Sequence, residues 1–530
     1  MKKPFLIILF FTLLQIVSSG QKKSLDAIDQ RDLRAYMSFF SSDELQGRET
    51  GTRSNDEAAL YIKTNLMRLG LKPLHGTDDF FQEIPFVSTS IDRKNSVLTI
   101  SDEGGNSIFS SDSLVVFAFR PDDKTITGKL VFLGYGYKDT VSGYNDFKGL
   151  DLKDKIVLIM TRTPEAFKSG EGKEQFEQRV EAPKIMAAVA AGAKAVLLVY
   201  DSGNQFRDPW ASGVAELLPS GRVNLKGAGD FMMPFNLSFI TQNIANALLK
   251  PTGRNLARMQ EMIASTGAPV SSEIEGIIVS IRTAVVQKEF NSPNVIGIIE
   301  GSDPVLKNEC VIYSAHFDHI GINDKGEINN GADDNASGSM ALLEVAEAFK
   351  MLDKPPLRSI VFAWVNGEEK GLLGSQYYTE NPVFPIEKTL VDINLDMVGR
   401  SKMASDTGKF YGMPLDVTNP GEIYVYTAHE SSQLLKMMYD AAGKAGIKVI
   451  DRGKDIEYGS SDHASFWKKG VPAIMVHSGV HADLHGPGDD YGKIDFDKMQ
   501  KAARMVFLIG YDVANQRQRL VVDNPIKKEE

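Results

Sequence analysis

The chain has 530 residues, enough for two or three domains at about 150 residues each. Its 42% apolar, 24% charged and 9% aromatic balance, with 46 Gly and 22 Pro, is that of an ordinary globular protein and excludes a low-complexity one. A net charge of −10 leaves no basic footprint for nucleic acid or anionic lipid, and the single cysteine, Cys310, excludes an intramolecular disulfide and a cysteine-based zinc cluster. A metal site in this chain must therefore use His, Asp and Glu.

Lys2 and Lys3 precede an apolar run from Phe5 to Val17 closed by Ser18-Ser19-Gly20, the pattern of a secretory leader cut near Gln21. The run is shorter than the roughly 20 residues of a spanning helix, and no cysteine follows it for a lipid anchor. The sequence thus predicts an exported protein, secreted or periplasmic, with no stable membrane anchor and no lipoprotein anchor. From Asp26 to Leu71 apolar residues recur at helical spacing, and the polar stretch Leu45 to Thr52 reads as a loop between two helices. From about 90 to 285 alternating strand-like runs dominate. Within them, Lys155 to Met160, a helix from Pro183 to Ala191 and Ala195 to Tyr200 read as β-α-β, with Pro183 expected in the first helical turn and Gly192 at the end.

After Ser292 short apolar runs alternate with amphipathic segments. Asn294 to Ile299, Cys310 to Ala315, Ile360 to Val365, Val391 to Leu395 and Ala473 to Val476 read as strands. Ser337 to Leu352, Gly371 to Thr379, Ser431 to Ala445 and Asp497 to Asn515 read as helices. Continuously apolar strands separated by such helices predict an α/β fold whose mixed, mostly parallel sheet is covered by helices on both faces.

In open α/β sheets ligands bind beyond the carboxyl ends of the strands. There the sequence places His316-Phe317-Asp318, then Asn366-Gly367-Glu368-Glu369, then Asp396, then a stretch with His477, His481 and His485, while Gly331 to Gly338, holding Asp333-Asp334-Asn335, precedes a helix. Taken singly, Asp333 and Asp334 read as helix caps and Glu368-Glu369 as a solvated pair. Taken together, with six of the eight histidines in 316–319 and 463–485, they read as a cation site. His75 and His429 are assigned to surface or packing, and His319, His463, His477 and His481 to the pocket lining. His481-Ala482-Asp483-Leu484-His485 lacks the glutamate of a thermolysin-like zinc helix, and the chain has neither a nucleophile elbow nor a phosphate-binding loop.

The segments Ser314 to His319, Gly331 to Gly338, Asn366 to Ser375, Asn394 to Gly399, Ser461-Asp462-His463 with Gly470 to Ala473, and His485 to Asp489 resemble, in order, those of the co-catalytic di-zinc exopeptidases. That family includes bacterial leucyl aminopeptidases, glutamate carboxypeptidase II and the glutaminyl cyclases. The likeness covers roughly 290–515, and Leu45 to Leu71, with its Gly-Arg and Gly-Thr pairs, resembles the family's amino-terminal part. Beside the leader read over 1–20 and a charged tail over 521–530, the resemblance implies a discontinuous peptidase domain over 21–124 and 286–520 and a protease-associated-like insertion over 125–285. It also implies two zinc ions, one bound by His316 and Asp396, the other by Glu369 and His485, with Asp334 bridging. Asp318 would hold the far nitrogen of His316, and Glu368 would be the general base that takes a proton from the shared water and returns it to the leaving amine. A non-proline cis peptide is expected between Asp334 and Asn335.

The leading reading is an exported zinc-dependent exopeptidase, an aminopeptidase acting on peptides. Competing readings are a carboxypeptidase of the same fold, a glutaminyl-cyclase-like acyltransferase with one zinc, and a non-catalytic binding protein resembling the transferrin receptor. The second departs from the Gly-Ala-Asp-Asp-Asn-Ala-Ser-Gly pattern kept whole here, and the intact ligand set argues against the last. The insertion, without a histidine, is expected to shape access and not to supply ligands.

Overall fold

The computed structural model describes residues 21–118, 124–164, 178–201, 222–227, 236–410, 413–427, 429–453 and 460–525. The expected leader and residues 526–530 of the charged tail lie outside the described residues. The chain divides into two compact units, one formed by the segments up to Phe86 and from Phe290 onward, the other by Val87–Glu289. No helix among the described residues is long and apolar enough to cross a membrane.

After a helical stretch over 21–27 the first unit forms helix α1 (Gln30–Phe40), whose cap Asp29 accepts the N–H groups of Arg31 and Asp32. Leu33, Tyr36, Met37 and Phe40 form its buried stripe at three and four spacing. Helix α2 (Arg53–Leu69) is capped by Thr52 and followed by strand β1 (Phe81–Ile91). The expected loop between the helices is present.

The second unit is an eight-stranded sheet. It contains β2 (Val97–Ser101), β3 (Ser107–Ser111), β4 (Leu114–Ala118), β5 (Lys124–Phe132), β6 (Ile156–Met160), β7 (Ala195–Val199), β8 (Asn236–Ile240) and β9 (Ser272–Thr283), in the spatial order β3-β2-β9-β5-β6-β7-β8-β4. Alternate residues of β6 face opposite ways: Ile156, Leu158 and Met160 join helices α4 (Gln242–Leu249) and α5 (Leu256–Thr266), while Val157 and Ile159 join helix α3 (Gln178–Ala190). This unit reaches further toward the amino terminus than the 125–285 expected from sequence, because β2 pairs with β9, Leu98 opposite Ile281. Pro183 is also placed differently. It lies inside α3, which starts at Gln178, so its missing N–H falls past the first turn, where it costs a helical bond.

The chain returns to the first unit through β10 (Val285–Ile299), then β11 (Cys310–His316), helix α6 (Gly338–Lys350), β12 (Ser359–Val365), helix α7 (Leu373–Glu380) and β13 (Thr389–Leu395). It continues through β14 (Glu422–Thr427), helix α8 (Ser432–Ala445), β15 (Lys448–Asp451), helix α9 (His463–Lys468), β16 (Ala473–His477) and helix α10 (Phe496–Asn515). The sheet runs β15-β14-β16-β13-β11-β12-β10-β1. Its centre, β12, β11, β13 and β16, is parallel, with His316 opposite Val365 and Leu395 opposite Val476, while β10 and β14 pair antiparallel with their inner neighbours. Every residue of β11, β12 and β13 is buried. Val311, Tyr313 and Ala315 pack on α6 and α10, whereas Cys310 and Ile312 share a core with Tyr378 of α7 and Phe466 of α9. Each fully buried aliphatic or aromatic chain is worth about 1.5–3 kcal/mol, which holds the central strands in register and aligns their carboxyl ends. The bend just before α1 seats on the last helix: Gln500 and Arg504 of α10 donate to the carbonyl of Ile28 at 2.8 and 3.0 Å.

Candidate active site

Three strand ends and two loops meet over the centre of the sheet. His316 is the last residue of β11, Glu368 and Glu369 stand on the turn after β12, and Asp396 follows β13 directly. Asp334 comes from the turn before α6, where the peptide to Asn335 is cis, as expected from the resemblance, and His485 from the loop after β16. Asn335, and not either aspartate, caps α6, accepting the N–H groups of Gly338 and Met397 while donating to the carbonyl of Leu395. That triple contact ties the Asp334 turn to the end of the strand that carries Asp396.

His316 Nε2 lies 3.4 Å from Asp334 Oδ1 and 3.4 Å from Asp396 Oδ1. His485 Nε2 lies 3.1 Å from Asp334 Oδ2 and 3.3 Å from Glu369 Oε2. One oxygen of Asp334 thus faces each cluster. The side chain of Glu368 reaches to 4.0 Å from His316 Nε2 and touches neither of the other two imidazoles at that range. Burial alone would lower the His316 imidazole, but Glu368, Asp396 and Asp334 outweigh it and raise it well above its ordinary value. Asp334 is pulled the other way, well below the usual carboxylate range, because His316, His319 and His485 outweigh its burial. Burial, with Glu369 and Asp396 nearby, raises Glu368 well above that range despite His316.

Two sequence expectations need correction. The carboxylate of Asp318 lies 3.8 Å from His316 Nδ1, while its backbone carbonyl lies at 3.2 Å, so the far nitrogen of His316 meets the main chain. The carboxylate instead accepts the N–H groups of Glu368 and Glu369 at 3.2 and 3.3 Å and the hydroxyl of Thr50 at 3.0 Å, and so holds the glutamate turn. Of the four histidines assigned to the lining, only His477 reaches the cavity; His319, His463 and His481 are fully buried. His319 Nδ1 sits 2.8 Å from Glu369 Oε1, gripping the glutamate oxygen that does not face His485. Sequence reasoning missed that contact, although His319 stands in the same motif as His316. His75 packs edge-on against Phe384, and His429 meets Asp451 at 2.9 Å, and neither lines the cavity.

The cavity in front of these groups has a volume of about 520 Å³. Asp334, Glu368, Glu369, Asp396 and His485 line one part, and Phe410, Tyr426, Met475, Val480 and Leu484 supply apolar walls. Donor chemistry fits a divalent cation: the ligand atoms of His316, Asp334 and Asp396 all lie within 4.8 Å of one another, as do those of His319, Asp334 and Glu369. Asp396 Oδ1, moreover, is buried with no hydrogen-bond partner among the described residues.

Residues 294–509 match the model of peptidase family M28. The match covers that segment, less than half of the chain. Among curated proteins it is similar to a probable leucine aminopeptidase of Arthroderma otae, 30% identical over 256 residues that make up 46% of this chain and 65% of the relative. A probable leucine aminopeptidase of Arthroderma benhamiae is 30% identical over 250 residues, 46% of this chain and 63% of that protein. The chain therefore spans a little less than two thirds of these relatives. Among solved structures, the aminopeptidase from Aneurinibacillus sp. strain AM-1 superposes with a TM-score of 0.54 at 22% identity over 96% of this chain and 98% of that one. A zinc aminopeptidase from Bacillus subtilis gives 0.50 at 22% identity over 94% and 98%. These likenesses show a shared fold.

Proposed function

We propose that this protein is an exported aminopeptidase that works with two zinc ions. His316 and Asp396 would hold one ion, Glu369 and His485 the other, with Asp334 between them, and His319 would fix Glu369 by its second oxygen. Support comes from the two oxygens of Asp334 facing separate clusters and from relatives whose names include zinc and leucine aminopeptidases. When bound, the ions would polarise the scissile carbonyl and acidify water beside it. Glu368, at the cavity edge of the clusters, is the carboxylate free to take a proton from the attacking water and return it to the leaving amine. Asp318 keeps that carboxylate in place through the backbone N–H of Glu368.

The observation that carries the amino-terminal reading is the charge of the wall. Among the described lining residues the only guanidinium is Arg452, already paired with Asp416, and no lysine lines the cavity. Among the described lining residues a substrate carboxylate meets no unpaired guanidinium or ammonium, whereas an ammonium meets the carboxylates of Asp334, Glu368, Glu369 and Asp396. Export is supported by the leader pattern of residues 1–20.

The test is a comparison of the parent with Glu368→Gln and Glu369→Gln on amino-acid p-nitroanilides and on acetyl-blocked peptides, with zinc measured by atomic emission. The parent should hold two equivalents, lose activity in chelator and ignore blocked substrates. Glu368→Gln should keep both ions and lose about 10²–10⁴-fold in turnover, while Glu369→Gln should lose metal and rate together. Metal loss in Glu368→Gln, or turnover at the parent rate, would refute the assignment of this pair, and cleavage of blocked substrates would refute the amino-terminal reading.

A further inference from the structure

The turn that delivers Asp334 is gripped from two sides by buried charges of opposite sign that stay out of the cavity. Arg48, fully buried, donates from Nη1 to the carbonyl of Asn330 at 2.7 Å and from Nη2 to that of Gly331 at 3.0 Å. Its remaining bonds go to the carbonyls of Phe40 and Phe317, so it also ties the amino-terminal loop to the strand end after His316. Asp489, equally buried, accepts the N–H of Asp333 with both oxygens at 3.0 Å and the N–H of Asp334 with Oδ2 at 3.0 Å. A cation thus holds the carbonyl end of the turn and an anion its N–H end, each matched to the dipole it meets. Between them Gly331 has φ +56°, and a β-carbon there would collide with the carbonyl of Asp334 and the ring of His319, so the turn has no slack.

We infer that Arg48 and Asp489 are positioning residues that clamp the 330–334 turn and so set where the Asp334 carboxylate stands between the two clusters. This rests on the two-zinc reading of the site. Because Asp334 serves both clusters, loosening the clamp weakens both metal positions together, while the cavity walls, to which neither residue contributes, keep their shape.

The experiment uses the full chain and three variants. Asp489→Asn keeps the size but turns one acceptor into a donor facing N–H groups, and Arg48→Lys keeps the charge but cannot fork to two carbonyls. Asp146→Asn is the control: Asp146 of the second unit likewise accepts two backbone N–H groups, those of Tyr135 and Tyr137, far from the clusters in sequence. Zinc affinity is read by competition with a chromogenic chelator, folding by circular dichroism, and KM and kcat separately on leucine p-nitroanilide. The expected result is zinc affinity about 10–100-fold lower in Asp489→Asn and Arg48→Lys, with kcat reduced, KM within about twofold of the parent, and parent-like zinc affinity in Asp146→Asn. If Asp489→Asn does not fold, Arg48→Lys alone decides. Folded clamp variants that hold zinc as the parent does would overturn the clamp and leave the zinc reading intact. A parent that binds no zinc would overturn the zinc reading and the clamp with it. Equal zinc loss in Asp146→Asn would show a general effect of stability and would also overturn the clamp.

Discussion

Glu344 in α6 makes the stability of the first unit depend on pH in a direction opposite to that of most carboxylates. The residue is fully buried, its Oε2 accepts the N–H of Asp29 at 3.0 Å, and Oε1 has no hydrogen-bond partner among the described residues. Burial pushes its carboxyl from the ordinary 4.5 up to about 8; the Asp29 N–H opposes the rise, and the nearby carboxylates Glu347, Asp32 and Asp29 add to it. Between those two values the folded chain keeps a proton that the unfolded chain releases, so stability falls as pH rises from 4.5 to about 8. At 1.36 kcal/mol for each pH unit the loss is at most about 5 kcal/mol, large against the 5–15 kcal/mol that typically holds a domain. Glu344→Gln removes the titration and keeps an acceptor for the Asp29 N–H. It should match the parent near pH 4.5 and exceed it at pH 8. Urea unfolding in half-unit pH steps, followed by the fluorescence of Trp364 in β12, measures the difference and cancels the titration of every other group. Parallel profiles for parent and variant would refute the reasoning.

Cys310, fully buried at the start of β11, has its thiol pushed up to about 12 by burial. A thiol reagent should leave the native protein unmodified and label one site in denaturant; fast native labelling would show that this end of the strand opens. Gly338→Ala would drive a β-carbon into the carbonyl of Leu395 and the side chain of Asn335, separating α6 from the strand end that carries Asp396. It should cost about 1–3 kcal/mol and lower zinc content, and a variant with parent melting temperature and metal would contradict the close approach.

The central strands were legible because Cys310 to Ala315, Ile360 to Val365 and Val391 to Leu395 are apolar on both faces, and only a sheet covered twice requires that. The edge strand β15 escaped notice because none of its residues is buried, Lys448 being exposed and Val449, Ile450 and Asp451 half-covered, and its inner neighbour β14, buried on both faces through Ile423 and Val425 and through Tyr424 and Tyr426, is only six residues long. The residues of the clusters could be read from their motifs, whereas their supports could not. Arg48 and Asp489 act on backbone atoms 283 and 156 residues away, and backbone atoms carry no sequence signal. Asp318 shows the same limit within one residue, its carbonyl meeting His316 while its carboxylate holds the glutamate turn.

The seating of Ile28 on Gln500 and Arg504 means that the segment leading into α1 finds its partner only when α10 has been made. Gln500 is added by the ribosome 472 residues after Ile28. For most of that interval the turn bearing Asp334 lacks the Asp489 carboxylate that accepts its N–H groups, and the site lacks His485. A nascent chain therefore cannot bring the clustered side chains together in full before His485 and Asp489 have emerged.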